Sequence, residues 1–461
     1  MAALTRYLLA QVRRDLAKKM VFVAGPRQVG KTTLAKHLPG GKAGYLNWDV
    51  AEHRERILRR ELPATKLWVF DELHKYRTWR NFFKGLFHSR SRGQRILVTG
   101  SARLDFYHFG GGSLQGRYHL LRLNPLSVAE LGLTKPAELQ DLLNLGGFPE
   151  PYFSGSATEA RRWSREHRTL LVREEVATLE RVQDLGNLEL LMLRLPELVG
   201  SPLSINALRE DLQLTHKTVA NWLQILERVY AIHRLSRFGA PRIRAVKKEQ
   251  KHYHWDWSVV QEPSLRFENL VAGHLLKWAH HEQDAKGRDV ELRYFRDTDR
   301  REVDFVIVEG RTPQLMVECK WADTEVDRSL KYLESTVPEM RGLAGVGGRH
   351  QGLRHAGGHS RGPGDAVASR ACVAAGTRNR APSSPSLARQ LPPAERLHGR
   401  TSGSAVPRRA RNPSFKDHLS SRRSIDHVPR DTNQRYLQST TPRYVGLSRV
   451  RADIDVDESL A

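Results

Sequence analysis

Nine consecutive residues, Gly25, Pro26, Arg27, Gln28, Val29, Gly30, Lys31, Thr32 and Thr33, constrain this chain more than any other feature of it. They follow the apolar run Met20 to Ala24 and precede Leu34 to Leu38, which sets G-x-x-x-x-G-K-T between a strand and a helix. Two glycines let such a loop curl until its backbone N–H groups point at a polyphosphate, and the helix that follows adds its positive end. In this pattern Lys31 reaches the β- and γ-phosphates and Thr32 offers a hydroxyl to Mg²⁺. The expected ligands are therefore ATP and Mg²⁺.

A site of this kind also needs a carboxylate at the end of a second buried strand. Leu67 to Phe70 followed by Asp71 and Glu72 supplies it, because an apolar run of that length reads as a strand covered on both faces. Asp71 is expected to serve the metal and Glu72 the attacking water, as general base. A third run, Arg95 to Thr99, leads into Gly100 and Ser101. Thr99 or Ser101 could then sense the γ-phosphate; Ser101 is the expected sensor, with a plain turn as the other reading. Arg117 stands either as an arginine-finger cation for transition-state charge or as a surface arginine before a strand.

Together with Pro125 to Glu130 and Gly146 to Pro149, these motifs resemble the prokaryotic AAA-type ATPases. The resemblance is greater to the branch with a C-terminal domain of unknown function and nuclease-like fold, and it runs from residue 1 to about residue 340. It implies ATP binding and hydrolysis, and leaves the biological task open.

A length of 461 residues has room for two to three domains, and the formal charge of +24 favours an anionic partner, nucleic acid first. No apolar run approaches the roughly twenty residues of a membrane span. Two cysteines, Cys319 and Cys372, suit a reducing cytoplasm. From about Arg341 the chain becomes rich in Gly, Ser, Pro, Ala and Arg, with about twenty arginines against one lysine and none of the nine tryptophans. Such a composition buries too little apolar surface to order itself. The expectation is a disordered basic tail over 341–461, either native or the product of an out-of-frame GC-rich reading, which leaves the unit before it incomplete.

Residues 1–155 are thus read as the ATPase domain, an α/β fold with a parallel sheet, and 156–250 as a helical linker and winged helix-turn-helix. In the second unit Ser204 and Thr215 look like N-caps, and Val219, Trp222, Leu223 and Leu226 share a helix face. In a DNA reader His216, Lys217 and Asn221 would enter the major groove, whereas in a spacer or dimer contact they would not. Residues 251–340 are read as an α/β nuclease-like domain, with Glu268, Asp304, Glu318 and Lys320 in a D-x(n)-E-x-K pattern around Mg²⁺. His252 to Trp257 reads as a strand with alternating buried aromatics, and His280 and His281 as the solvated end of a helix. The leading functional reading is an ATPase coupled to a DNA-binding or nuclease-like module. A nucleotide-dependent switch for a protein partner and an ATP-regulated Mg²⁺ nuclease are the alternatives, and a homo-oligomer is open to each.

Overall fold

The computed structural model describes residues 4–100, 114–176, 184–239, 250–297, 299 and 301–321, with the backbone of two further strands at 341–346 and 352–355. Ser101, Cys372 and the expected tail from 356 onward lie outside the described residues.

The apolar runs of the first third become a parallel sheet. Strands β1 (Met20–Ala24), β2 (Tyr45–Asn47), β3 (Leu67–Asp71), β4 (Arg95–Thr99) and β5 (Tyr118–Arg122) lie in the order β2-β3-β4-β1-β5. α1 (Leu9–Leu16) precedes β1, and the connections include α2 (Lys31–Lys36), α3 (Ala51–Arg59) and α4 (Trp79–Ser89). Strand alternation sends Val21, Val23, Val69 and Leu97 to the face shared with Leu8, Val12 and Leu34. Phe22, Phe70, Ile96 and Val98 go to the other, against Ile57 of α3 and Trp79 and Phe83 of α4. With both faces covered, continuous hydrophobic strands are required, as the sequence has them. The register pairs Val23 with Thr99, Asp71 with Thr99 and Asn47 with Asp71, so the C-terminal ends of four strands line one edge.

The chain continues through α5 (Val128–Leu131), α6 (Pro136–Leu145), α7 (Pro149–Ser154), α8 (Ala157–Leu170) and a π-helical turn, Leu171–Val176, then α9 (Leu185–Arg194). Between α6 and α7 the chain passes so close to Trp257 that a Cβ on Gly147 would meet the indole at 2.3 Å and Pro125 at 2.9 Å, so only glycine fits. Next come α10 (Ile205–Asp211), α11 (His216–Arg228) and an antiparallel pair, β6 (Ile232–Ser236) with β7 (Gln250–His254). The Ser204 hydroxyl accepts from the Ala207 N–H at 3.2 Å and Thr215 from Thr218 at 3.1 Å, satisfying donors that each helix start would otherwise orphan. Val219, Trp222, Leu223 and Leu226 are buried, and they join the same core as one face of the parallel sheet.

A 24-residue helix, α12 (Pro263–Lys286), opens the last part. It is followed by β8 (Val290–Arg296), β9 (Glu302–Glu309), β10 (Thr312–Lys320), β11 (Arg341–Val346) and β12 (Gly352–His355), in the order β12-β11-β10-β9-β8. β11 runs parallel to β10, and the other neighbours are antiparallel. The sheet thus extends past residue 340, where the change of composition predicted that the fold would stop. Phe305, Ile307, Leu315 and Val317 pack with Phe267, Leu270, Val271 and Leu275 of α12.

Two readings of this region need correction. His280 is buried, 9% exposed, because α12 runs on to Lys286 and lays this ring near Trp255 and Asn124. Tyr253, Trp255 and Trp257 are buried as the alternation predicts, but β7 ends at His254, and His252 and His254 are buried as well, since the strand is covered on both sides. His252 Nε2 meets the Leu195 carbonyl at 2.9 Å, while Asn269 of α12 bonds both the N–H and the carbonyl of His254 at 2.8 Å. Burial holds His252 near pKa 4, so it is neutral at physiological pH. Among the described residues no helix is long and apolar enough to cross a membrane.

Candidate functional site

The site forms where β1, β3 and β4 end. Gly25, directly after β1, has φ +143°, and a Cβ there would meet the Leu123 carbonyl oxygen at 2.3 Å. Only glycine lets the loop leave the sheet this tightly. Gln28 takes φ +61°, and Gly30, at φ +98°, turns the chain into α2. Lys31 is 7% exposed and folds over the loop, its Nζ donating to the carbonyls of Pro26 at 2.6 Å and Gly25 at 3.0 Å. Burial draws its pKa down to about 8 against the pull of Glu72 and Asp71. Thr32 is partly buried and Thr33 exposed.

Asp71 is 5% exposed and accepts from three hydroxyls: Thr32 at 2.8 Å, Tyr45 at 2.7 Å and Thr99 at 2.6 Å. The loop, β2 and β4 therefore converge on one carboxylate. A hydroxyl and a carboxylate this close are the hard oxygen pair that Mg²⁺ takes from protein when phosphates and water complete its shell, so these residues fit that ion. Glu72 has φ +56°, a conformation that costs a non-glycine residue about 1 kcal/mol or more and that concentrates at functional sites. Its N–H donates to the Thr99 carbonyl at 3.0 Å, and its carboxylate lies 3.5 Å from Lys75 Nζ and 3.6 Å from His74 Nε2. Burial raises its pKa, with Lys75 and Lys31 opposing.

Arg117 stands elsewhere. Its carbonyl accepts from the Met20 N–H, at the start of β1, so it occupies the opposite edge of the sheet, about 16 Å away for a strand of this length. There its guanidinium meets His88 Nε2 at 3.3 Å.

Four neighbours of the loop were not visible in the motif. Tyr45 holds Asp71, as above. Glu175, in the π-helical turn, reaches Arg27 at 3.2 Å and is buried, while His167 of α8 meets Gln28 at 3.1 Å. Arg6 donates to the Val29 carbonyl at 2.6 Å, to the Asn124 carbonyl at 2.5 Å and to Glu130 at 2.9 Å. Glu130 in turn pairs with Lys277 of α12, which also donates to the Pro125 carbonyl and the Ser127 hydroxyl, each at 2.9 Å. A buried polar chain thus runs from the loop backbone to α12. The same helix binds Arg122 on edge strand β5 through Asp284, at 2.5 to 3.2 Å.

In the last sheet Glu318 pairs with Lys320 at 2.8 Å, and Asp304 accepts from the Cys319 N–H at 2.9 Å. Glu268 accepts from Tyr253 at 2.7 Å. Among the described residues no three His, Cys, Asp or Glu side chains come together in a way that could hold a metal ion. His216, Lys217 and Asn221 are exposed along the first turns of α11.

Known proteins agree with this picture at the level of the first domain. Residues 17–132 match the family model described as an AAA domain. The class is given to that extent: over residues 17–132 this chain is similar to AAA domains, and the P-loop lies inside the match. Residues 136–265 and 266–348 match two models described as domains of unknown function, DUF8612 and DUF4143. The AAA match ends before Gly146, and the last match runs beyond residue 340. Uncharacterized proteins of Mycobacterium tuberculosis and Mycobacterium bovis are each 29% identical over 178 residues, 37% of this chain and 39% of theirs. The match therefore spans about two fifths of these relatives. Among solved structures, a RuvB variant of Thermotoga maritima is similar at 16% identity over 49% of this chain and 85% of that one, with a TM-score of 0.24. The Orc1 protein of Aeropyrum pernix, in complex with DNA, is similar at 15% over 59% and 94%, with a TM-score of 0.27.

Proposed function

We propose that this protein binds and hydrolyses ATP at the edge formed by β1, β3 and β4, and that the nucleotide state is passed to the C-terminal part through α12. The observation that carries this reading is the 2.8 Å hydrogen bond from Thr32 to Asp71, which joins the loop to the acidic strand end beneath a buried Lys31. Loop N–H groups and Lys31 would hold the phosphates, and Glu72 would orient and deprotonate water. Thr32 and Asp71 would hold Mg²⁺, which supplies charge neutralisation to the triphosphate. The helix that would read the outcome already touches the loop through Arg6, Glu130 and Lys277.

DNA is the proposed partner of the C-terminal part, supported by the exposed His216, Lys217 and Asn221 on a helix after a short turn. From the opposite edge of its own sheet, Arg117 would act on a neighbouring copy's nucleotide, in an oligomer.

Lys31→Ala tests the core of the reading. It removes charge-assisted hydrogen bonds to phosphate, and ATP affinity measured by calorimetry is expected to fall by about 1.5–3 kcal/mol, roughly ten- to a hundredfold. Unchanged affinity would remove the loop from nucleotide binding. Turnover of the full chain with and without duplex DNA separates the alternatives: stimulation supports an ATPase acting on DNA, and binding without turnover supports a switch for a protein partner.

A further inference from the structure

The last sheet carries the residue pattern of a Mg²⁺ nuclease, but a side chain from outside that pattern sits among its acids. Lys251, on β7, is 1% exposed. Its ammonium lies 2.7 Å from Glu302 Oε1, 3.5 Å from Asp304 Oδ1 and 3.6 Å from Glu268 Oε1. An ammonium has three N–H donors, and here three carboxylates converge on it. Two buried rings stand nearby: Nζ is 5.7 Å from the Tyr294 centroid, and the next residue but one, Tyr253, donates to Glu268. Neighbouring acids have protein cations of their own: Arg296 is 3.7 Å from Glu302, and Lys320 is 2.8 Å from Glu318.

Mg²⁺ needs near-octahedral oxygen ligands at about 2.0–2.1 Å and gives up water reluctantly. It cannot share these oxygens with a buried ammonium that hydrogen-bonds Glu302 and lies within 3.6 Å of the other two carboxylates, because two cations would then stand close together beside a buried side chain that water screens poorly. Burial alone would lower the lysine's affinity for its proton, but Asp304, Glu268 and Glu302 more than offset this and keep it charged. The residues therefore do not fit the metal that the pattern implies.

We infer that Lys251 is a built-in cation that takes the place of a divalent metal in the Glu268, Glu302 and Asp304 cluster, which makes the last sheet a metal-independent binding module rather than a nuclease. The inference is independent of the nucleotide site.

The test is Mn²⁺ binding by the full chain without nucleotide, followed by electron paramagnetic resonance, with the site located by Fe²⁺-driven hydroxyl-radical cleavage of the backbone. Wild type is expected to give no cleavage near residues 268 or 302–304. Lys251→Met, whose uncharged side chain keeps the length of the stem, is expected to bind Mn²⁺ there at least about tenfold more tightly than wild type, and to lose that binding when Asp304→Asn is added. Cleavage near these residues in wild type would overturn the inference, as would Mg²⁺-dependent DNA cutting by wild type that Asp304→Asn abolishes. A Lys251→Met protein with wild-type circular dichroism and no gain of Mn²⁺ would overturn it too. If Lys251→Met fails to fold, the wild-type measurements decide alone, absence of Mn²⁺ at the cluster supporting the inference and its presence overturning it.

Discussion

Glu72→Gln is expected to lower ATP turnover by about 10²–10⁴-fold while ATP still binds, the loss typical of removing a positioned general base. The substitution keeps the shape of the side chain and the N–H that Glu72 gives to the Thr99 carbonyl, so the β3–β4 edge should stay in place. Removed is a carboxylate whose surroundings suit a base. It is largely buried, which raises its pKa, and Lys75 and Lys31 limit the rise. The sign for pH follows directly. A base must be ionised, so turnover should fall as pH drops through the raised pKa, above the ordinary glutamate value of about 4.3. Single-turnover rates at several pH values, set beside calorimetric ATP affinity, check both parts. A glutamine variant that turns over at the wild-type rate would show that another group activates water.

Why Glu72 was legible, and Glu175 was not, comes down to the kind of order each depends on. Local chain chemistry places Gly25 to Thr33 and Asp71 with Glu72: glycine where φ is positive, apolar alternation into a sheet covered on both faces, and acids at its edge. Such signals are written in consecutive residues. The N-caps Ser204 and Thr215 belong to the same class. Glu175 reaches Arg27 across 148 positions, and Lys251 reaches Asp304 across 53. Neither separation leaves a periodic trace. The extent of α12 was misjudged for a related reason, since two adjacent histidines read as polar until the helix is seen to lie against the first domain, where His280 faces Asn124. Composition misled in the other direction beyond residue 340, where β11 pairs in register with β10, because strand pairing is a backbone property that a Gly- and Ala-rich composition does not forbid.

Glu130→Ala is expected to destabilise the protein by about 3–5 kcal/mol, the cost of removing one member of a buried ionic network and leaving the others charged. The carboxylate, 4% exposed in its side chain, is the hinge of that network: it takes Arg6 on one oxygen and Lys277 on the other, and it accepts the Tyr7 N–H at 3.0 Å. Burial alone would raise its pKa, but Lys277 and Arg6 more than offset this and hold it at about 2. A depressed carboxylate contributes stability in full above its unfolded value of about 4.3, and loses it as pH falls toward 2. The gap between wild-type and variant urea midpoints should therefore be widest near neutrality and narrow from about pH 4 downward. Adding Lys277→Ala should recover part of the loss, since the ammonium is then no longer stranded, and the double-mutant cycle measures the coupling. A functional consequence follows from Arg6, whose other bonds hold the Val29 and Asn124 carbonyls. Once freed from Glu130, it no longer fixes the loop, so ATP affinity should weaken in Glu130→Ala although no residue facing the phosphates has changed. A variant with wild-type stability and wild-type ATP affinity would show that α12 and the nucleotide loop are neighbours without being coupled.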